Sequence, residues 1–234
     1  MINPLTLQAR RLLVIAPHPD DESLGCGGLI HAFAKDGRQV RIAFITDGGA
    51  SHPSSNAWSR ERLAARRRDE ALAALVTLGL SRTDALFLDL RDADMPAPGS
   101  RADRAACERL AAGIRSFKPD LTLLPWRRDP HRDHRDAWRL GRCALAAAGS
   151  PSDKLEYAVW LDEFGAPGDQ PQADEAAPLV FDVTAGQAAK RAAVYAHASQ
   201  TTDLIDDDPM GFRLSADTIE RLTGSAERYW RPTA

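Results

Sequence analysis

The sequence predicts an α/β fold of the Rossmann-like, doubly wound kind, with a mostly parallel sheet and helices on both faces. Short apolar runs typical of buried strands alternate with longer segments of helical periodicity along most of the 234 residues. Several of these runs lead directly into acids or histidines, as strands do at the ligand-binding edge of such sheets. The length suits a single domain, residues 1–234, that can bury a core without disulfides.

The first predicted strand, at 12–16, leads into the most informative stretch of the chain. Its five apolar residues, some of them β-branched, predict a strand buried on both faces. The sequence Pro-His-Pro-Asp-Asp-Glu at 17–22 then gathers one histidine and three carboxylates in a stiff turn. Such a cluster is unfavourable unless a cation joins it, and a divalent metal is the simplest solution. The alternative is an ordinary turn with acids at a helix start.

Helices and strands then alternate up to residue 126. Glycines allow the first helix to pack closely on the sheet, but they lack the G-x-G-x-x-G spacing of a dinucleotide site. An apolar stripe and a glycine stop define the second helix, and the loop at 50–59 before it suits a substrate lid. In order, the predicted elements are helix 23–34, strand 40–46, helix 60–78, strand 85–90, helix 103–117 and strand 121–126.

A second polar cluster follows the strand at 121–126, more than a hundred residues after the first. It is the segment Asp-Pro-His-Arg-Asp-His at 129–134. Two clusters that each follow a parallel strand can meet at one edge of the sheet. His18, Asp21 and His134 would then form a site of two histidines and one carboxylate, with positions open for water and substrate.

The last third of the chain is less regular. Residues 165–178 are polar, acidic and rich in Pro and Gly, which indicates a flexible loop, and the pattern beyond residue 201 defines no clear element. The predicted elements here are helix 133–148, strand 155–161, strand 179–183 and helix 185–196.

Composition argues against several classes of protein. A net charge of −3 gives no sign of a surface for nucleic acid or anionic membrane. Apolar runs are too short for a membrane span and the N-terminus has no signal pattern, so we expect a cytoplasmic protein. Cys26, Cys107 and Cys143 lack metal-site spacing and are expected to be reduced. The isolated His31 is expected to be packed or at the surface, and His52 to be solvated.

Three motifs together resemble one known family. The segment at 17–22 resembles the His-Pro-Asp-Asp-Glu signature of the PIG-L (LmbE-like) metal-dependent deacetylases. His-Arg-Asp-His at 131–134 is similar to that family's His-x-x-His motif, except that Arg132 stands where proline is common. His-Ala-Ser-Gln at 197–200 is similar to its C-terminal motif. The resemblance implies a zinc-dependent N-deacetylase, with Fe2+ as the other metal that fits, in which metal-activated water removes acetyl from an N-acetylglucosamine conjugate.

The resemblance also distributes roles among the motif residues. Of the two adjacent acids, Asp21 would bind the metal and Asp20 would be the general base. His131, in its protonated form, would stabilise the oxyanion of the tetrahedral intermediate. For Glu22, the residues leave two interpretations: it supports the ligands through hydrogen bonds, which we prefer, or it is an acid at a helix start.

Two further residues are candidates for substrate binding. Arg-Asp-x-x-Met at 91–95 is similar to a family segment whose aspartate binds the sugar, so Asp92 is a candidate for a sugar hydroxyl; the alternative is a charged turn. The run at 67–71 resembles a segment that supplies one substrate-contacting arginine. Arg67 is the preferred residue, and Arg68 remains open.

Other functions could use the same residues. One is an amidase that acts on a larger amide conjugate, and another is an iron oxygenase with two histidines and one carboxylate, which would need a 2-oxoacid or similar co-substrate. A non-catalytic sugar- or nucleotide-binding module is a third, although Asp20 and His131 argue against it. The expected partner is a small amino-sugar conjugate rather than nucleic acid or a membrane. The aglycone and homo-oligomerisation stay open.

Overall fold

The computed structural model describes residues 1–233, and within them seven strands form one mixed sheet. The strands are β1 (Arg11–Ala16), β2 (Gln39–Thr46), β3 (Ala85–Leu90), β4 (Leu121–Pro125), β5 (Asp153–Tyr157), β6 (Ala176–Asp182) and β7 (Ala226–Pro232). They lie in the order β3-β2-β1-β4-β5-β7-β6. The first five are parallel, whereas β7 runs antiparallel to both β5 and β6. The predicted doubly wound, mostly parallel sheet is confirmed.

Helices cover both faces of this sheet. In the described part of the chain they are α1 (Asp21–Lys35), α2 (Arg60–Thr77), α3 (Arg101–Phe117), α4 (Arg132–Ala147), α5 (Leu161–Phe164), α6 (Gln187–Ala196), α7 (Ala198–Thr201) and α8 (Ala216–Leu222). Leu12 and Val14 of β1 belong to a core with α1, α2 and α6, while Leu13 and Ile15 belong to a second core with α3 and α4. Because β1 is apolar on both faces, it lies at the centre of the molecule.

The position of β1 also determines where a ligand can bind. From β1 the chain builds outward through β2 and β3, then returns to place β4 on the other side of β1. The direction of winding therefore reverses between β1 and β4, and ligands bind at the carboxyl ends of strands at such a switch point. Both polar motifs follow these two strands.

The structure differs from the prediction in the last third of the chain. β5 ends at Tyr157, because the residues from Leu161 to Phe164 form α5 instead of continuing the strand. The unassigned tail contributes β7, which is inserted between β5 and β6 and buries Tyr229 and Trp230. Local periodicity could not show this, since β7 is defined by partners far away in the sequence.

Two side-chain predictions were wrong. Cys107 on α3 and Cys143 on α4 form a disulfide, with Cα atoms 6.3 Å apart, while Cys26 is free and buried. The packing of α3 against α4 brings this pair together, and sequence spacing carries no sign of it. His52 is 6% exposed rather than solvated, because the backbone at Gly211 packs directly on its ring. His31, by contrast, is partly buried against Leu78 as expected.

Among residues 1–233, none of the helices combines the length and the apolar character that crossing a bilayer would require.

Candidate active site

The turn after β1 sends two adjacent carboxylates in different directions. Asp20 has a φ of 147°, a value that costs a non-glycine residue free energy and is most often found at functional sites. The carboxylate of Asp20 meets the Arg67 guanidinium at 3.0 Å. The carboxylate of Asp21 instead accepts a hydrogen bond from the His18 backbone N–H at 2.8 Å. The strained turn thus gives each acid its own surroundings.

Asp21 lies between two histidines. Its Oδ2 atom is 3.2 Å from His18 Nδ1 and 3.3 Å from His134 Nε2, and all three side chains are buried. Among the residues described, neither ring nitrogen of His134 has a partner in hydrogen-bonding geometry. Two imidazoles and a carboxylate that converge in this way are a donor set suited to zinc or a similar divalent ion. The residues present therefore fit a metal.

Carboxylates also lie on the far side of each histidine. His18 Nε2 is 3.2 Å from Asp92 Oδ1 and 3.3 Å from Asp133 Oδ2, and His134 Nδ1 is 3.5 Å from Asp129 Oδ1. Such partners orient metal-binding imidazoles and increase their basicity. Sequence reasoning did not single out Asp129 or Asp133. The available signal was that both acids lie within the same short motif as His134.

Glu22 forms a support beneath the turn. Its carboxylate accepts hydrogen bonds from the Asp20 backbone N–H at 3.1 Å and the Ser23 hydroxyl at 2.6 Å, and it contacts His197 Nε2 at 3.2 Å. The C-terminal motif therefore packs behind the first one. In the same motif Gln200 reaches the pocket and donates to the Ser51 hydroxyl at 3.1 Å.

Burial and neighbouring charges shift the pKa values of the two proposed catalytic groups. Burial raises the pKa of Asp20 to about 6, although the charge of Arg67 acts against this. Burial, together with the positive charges of His18 and His134, lowers the pKa of His131 to about 4. An acid poised near neutral pH is typical of proton transfer. His131, by contrast, is neutral at pH 7 in the metal-free protein.

The two histidines beside Asp21 behave differently from His131. Burial alone would lower the pKa of His134, but Asp21 and Asp129 raise it to about 9. The two histidines compete for Asp21, whose own pKa burial would raise but His134 and His18 hold well below its usual value. A metal bound by His134 would therefore displace a proton, as is usual for metal sites built from imidazole.

The cluster forms the floor of a pocket of about 640 Å³. Arg67 and Asp92 line this pocket, as do residues of the 50–59 loop that was predicted to be a lid. Arg68 lies elsewhere, paired with Asp89 at 3.0 Å and stacked on Phe87. The remaining wall includes the apolar side chains of Trp160, Phe164, Met210 and Phe212.

Comparisons with known proteins match the chain to one family. The family model described as PIG-L, GlcNAc-PI de-N-acetylase, matches residues 13–145. The chain is 32% identical over 157 residues to the diacetylchitobiose deacetylase of Thermococcus kodakarensis, an alignment that covers 64% of this chain and only 55% of that protein.

Two other comparisons cover more of the chain. It is 28% identical to the 1D-myo-inositol 2-acetamido-2-deoxy-alpha-D-glucopyranoside deacetylase of Rhodococcus jostii, over 84% of this chain and 83% of that protein. Among solved structures, the N,N'-diacetylchitobiose deacetylase of Pyrococcus horikoshii aligns with a TM-score of 0.66 at 25% identity, covering 86% of this chain and 74% of that chain.

Proposed function

This chain belongs to the PIG-L family, and on that premise we propose that it is a metal-dependent hydrolase that removes the acetyl group from an N-acetylglucosamine-type amino-sugar conjugate. The observation that supports this most directly is the contact of Asp21 with both His18 and His134, at a pocket that His18, Asp20 and Asp21 line. We also propose that residues 1–234 act as one domain, since the strands belong to one sheet.

Zinc is the proposed metal, and Fe2+ suits the same two imidazoles and carboxylate. When bound by His18, Asp21 and His134, the ion would polarise the acetyl carbonyl and lower the pKa of a water molecule.

Asp20 is the proposed general base. One of its oxygens is held by Arg67, whose guanidinium is itself fixed by the carbonyl oxygens of Pro19 and Gly48, each at 2.9 Å. The other oxygen can accept the proton of the attacking water. When the amide C–N bond breaks, the same group can return that proton to the amine that leaves.

His131 is the proposed stabiliser of the oxyanion. Its Nδ1 atom accepts a hydrogen bond from the Asp133 backbone N–H at 3.2 Å. A neutral ring in this arrangement carries its proton on Nε2, so it can donate to the carbonyl oxygen as negative charge develops there. This differs from the protonated imidazole expected from sequence.

Asp92 is the proposed sugar ligand. Its Oδ2 atom accepts a hydrogen bond from the Ala50 backbone N–H at 2.8 Å, and its Oδ1 atom faces His18. Each carboxylate oxygen has a second lone pair that can accept a hydrogen bond from a sugar hydroxyl. The same residue would then bind substrate and orient a metal ligand.

A screen for acetate release tests the proposal. The full chain, stripped and reconstituted with Zn2+ or Fe2+, is incubated with N-acetylglucosamine conjugates, and acetate is measured. We expect release from at least one conjugate and none after metal removal. Larger N-acyl groups in the same screen test the amidase alternative, and oxygen uptake with a 2-oxoacid tests the oxygenase. Metal-loaded protein that releases acetate from no conjugate would contradict the proposal.

The compartment is part of the proposal. We propose the cytoplasm, in which the Cys107–Cys143 disulfide would be of an uncommon kind because most thiols there are kept reduced. Cell fractionation with detection of the protein should find it in the cytoplasmic fraction. Recovery from an oxidising compartment alone would contradict this assignment.

A further inference from the structure

We propose that the pocket selects amino-sugar conjugates whose aglycone is uncharged and apolar, with an aromatic ring as the preferred group. This rests on the proposed function for the sugar part of the substrate. The evidence for the aglycone comes from Trp160, Phe164, Met210 and Phe212, which line one side of the pocket and are called the apolar rim here.

Three of the four apolar side chains in the rim are exposed to solvent. Phe164 is 63% exposed, Met210 88% and Phe212 38%. Apolar side chains exposed singly are common, but a cluster that borders a pocket marks a ligand or partner site. Trp160 joins the group, because its ring centroid lies 5.7 Å from those of both Phe164 and Phe212. The three aromatic rings therefore form one cluster, and Met210 lines the same pocket.

Polar contacts hold both halves of the apolar rim in place. On one half, the Glu163 carboxylate accepts hydrogen bonds from Thr218 and Arg221 of α8, both at 2.9 Å, which fixes α5. On the other, the Phe212 backbone N–H donates to the Ser51 carbonyl at 2.7 Å. Because the backbone is anchored, a ligand that contacts the rim does not have to order it first.

Charge argues against an anionic aglycone. Arg67 is the only lysine or arginine among the described residues that line the pocket, and its guanidinium is already engaged by Asp20 and two carbonyl oxygens. Asp20, Asp21 and Asp92 line the same pocket. An anionic aglycone would therefore enter a pocket lined by three carboxylates, in which no lysine or arginine that the structure describes is free to pair with it.

Depth within the pocket assigns the rim to the aglycone rather than to the acyl group. The amide carbonyl must reach His18, Asp21 and His134, which are 8%, 1% and 0% exposed. Phe164 and Met210 of the apolar rim, by contrast, are largely exposed. The part of the conjugate that extends from the sugar toward solvent is its aglycone, and a pocket of about 640 Å³ is in the range that holds molecules larger than one amino sugar.

Binding and turnover of matched glycosides test this inference. Titration calorimetry compares methyl and phenyl 2-acetamido-2-deoxy-β-D-glucosides and N-acetylglucosamine 1-phosphate, using the metal-free full chain. Acetate release is measured for the same compounds with metal-loaded protein. We expect the phenyl glycoside to bind about tenfold more tightly than the methyl glycoside, from buried ring area and aromatic contact, and the phosphate to bind more weakly than the methyl glycoside.

Variants assign the preference to the rim. In Phe164→Ala and Met210→Ala the phenyl-to-methyl ratio should fall toward one, and in Val76→Ala, an exposed apolar residue on α2, it should stay as in wild type. Equal binding of the two glycosides, tighter binding of the phosphate, or a preference unchanged in the rim variants would overturn the inference. If only a methyl glycoside with an N-octanoyl group in place of N-acetyl bound more tightly, the rim would contact the acyl chain. That result would also overturn the inference.

These outcomes are separable from failure of the proposed function. Absence of acetate release from every glycoside contradicts deacetylation, while the calorimetric ratio still decides whether the rim selects apolar aglycones. Acetate release from the methyl glycoside without a phenyl preference supports deacetylation and rejects the inference.

Discussion

Asp20 and Asp21 are adjacent in the chain yet differ in every contact that matters for chemistry. Asp21 lies between His18 and His134, whereas Asp20 pairs with Arg67. Asp20, at the N-cap of α1, has a positive φ, and its carboxylate faces Arg67 and not the two histidines that Asp21 contacts. At the scale of single residues, backbone strain thus gives the two acids of one dipeptide the separate surroundings on which their proposed roles, metal binding and proton transfer, depend.

Replacing Asp20 tests that division. Asp20→Asn keeps the shape of the side chain and removes the basic oxygen, so we expect kcat/KM to fall by about 10²–10⁴-fold with metal content unchanged. Activity needs the ionised form. Burial raises the pKa of Asp20 to about 6 in the metal-free protein, and a bound cation lowers it again, so the activity of the metal-loaded wild type should show an acidic limb below pH 6. The variant should lack the limb, and near-wild-type activity with metal present would remove Asp20 as the base.

Replacing His134 tests the proposed metal ligands. Because the His134 ring is fully buried and contacts Asp21, His134→Ala should lose about one equivalent of metal by elemental analysis. His31→Ala is the matched control, since His31 lies toward the other end of α1 from the site and contacts the Leu78 backbone carbonyl. Full metal retention in His134→Ala would rule out the proposed ligand set.

At the scale of whole elements, one buried ion pair joins a helix to the antiparallel part of the sheet. Lys190 of α6 is 2.7 Å from Glu227 of β7, and both are almost fully buried. Glu227 also accepts hydrogen bonds from the backbone N–H groups of Gly28 and Leu29 in α1. The pair therefore links β7 of the sheet to two helices, α1 and α6, whose side chains belong to the same core.

Removal of the Lys190 ammonium group should destabilise the fold. Lys190→Met leaves the Glu227 charge buried without its partner, and we expect the free energy of unfolding to drop by about 3–5 kcal/mol in urea titrations. Adding Glu227→Gln, which removes the uncompensated charge, should recover part of that loss. Lys35→Met, at the exposed end of α1, is the control and should change stability by less than about 0.5 kcal/mol. A loss of similar size in the control would mean that burial is not the cause.

At the scale of the whole molecule, Asp120 ties together the two central strands on which the site depends. Its carboxylate accepts hydrogen bonds from the backbone N–H groups of Arg10 and Arg11, just before β4 begins. Burial alone would raise the pKa of Asp120, but these bonds and the Arg11 side chain lower it.

The pH dependence of stability should follow from that shift. Since the folded pKa lies below the unfolded value of about 3.9, Asp120 stabilises the fold above that value and the effect disappears as pH falls through the folded pKa. Asp120→Asn should therefore be less stable than wild type at pH 7 and approach it in acid, as measured by urea unfolding at several pH values. Asp94→Asn, on an exposed turn, should follow wild type throughout. A difference independent of pH would show that charge is not involved.

The sequence by itself determined the alternation of strands and helices, the edge of the sheet that carries the site, and the identities of its central residues. These features are local: an apolar run followed by His-Pro-Asp-Asp-Glu places His18 and Asp21 three residues apart on one turn. Parallel strands then bring a second such turn to the same edge whatever the details of packing.

Only the tertiary structure decided which distant groups meet. The insertion of β7, the Cys107–Cys143 pair, the contact of His197 with Glu22 and the apolar rim all join segments that are far apart in sequence. Local periodicity shows which face of an element is apolar, but it does not show what covers that face. The positions of Phe164 and Phe212 beside Trp160 therefore became visible only once α5 and the tail had packed on the sheet.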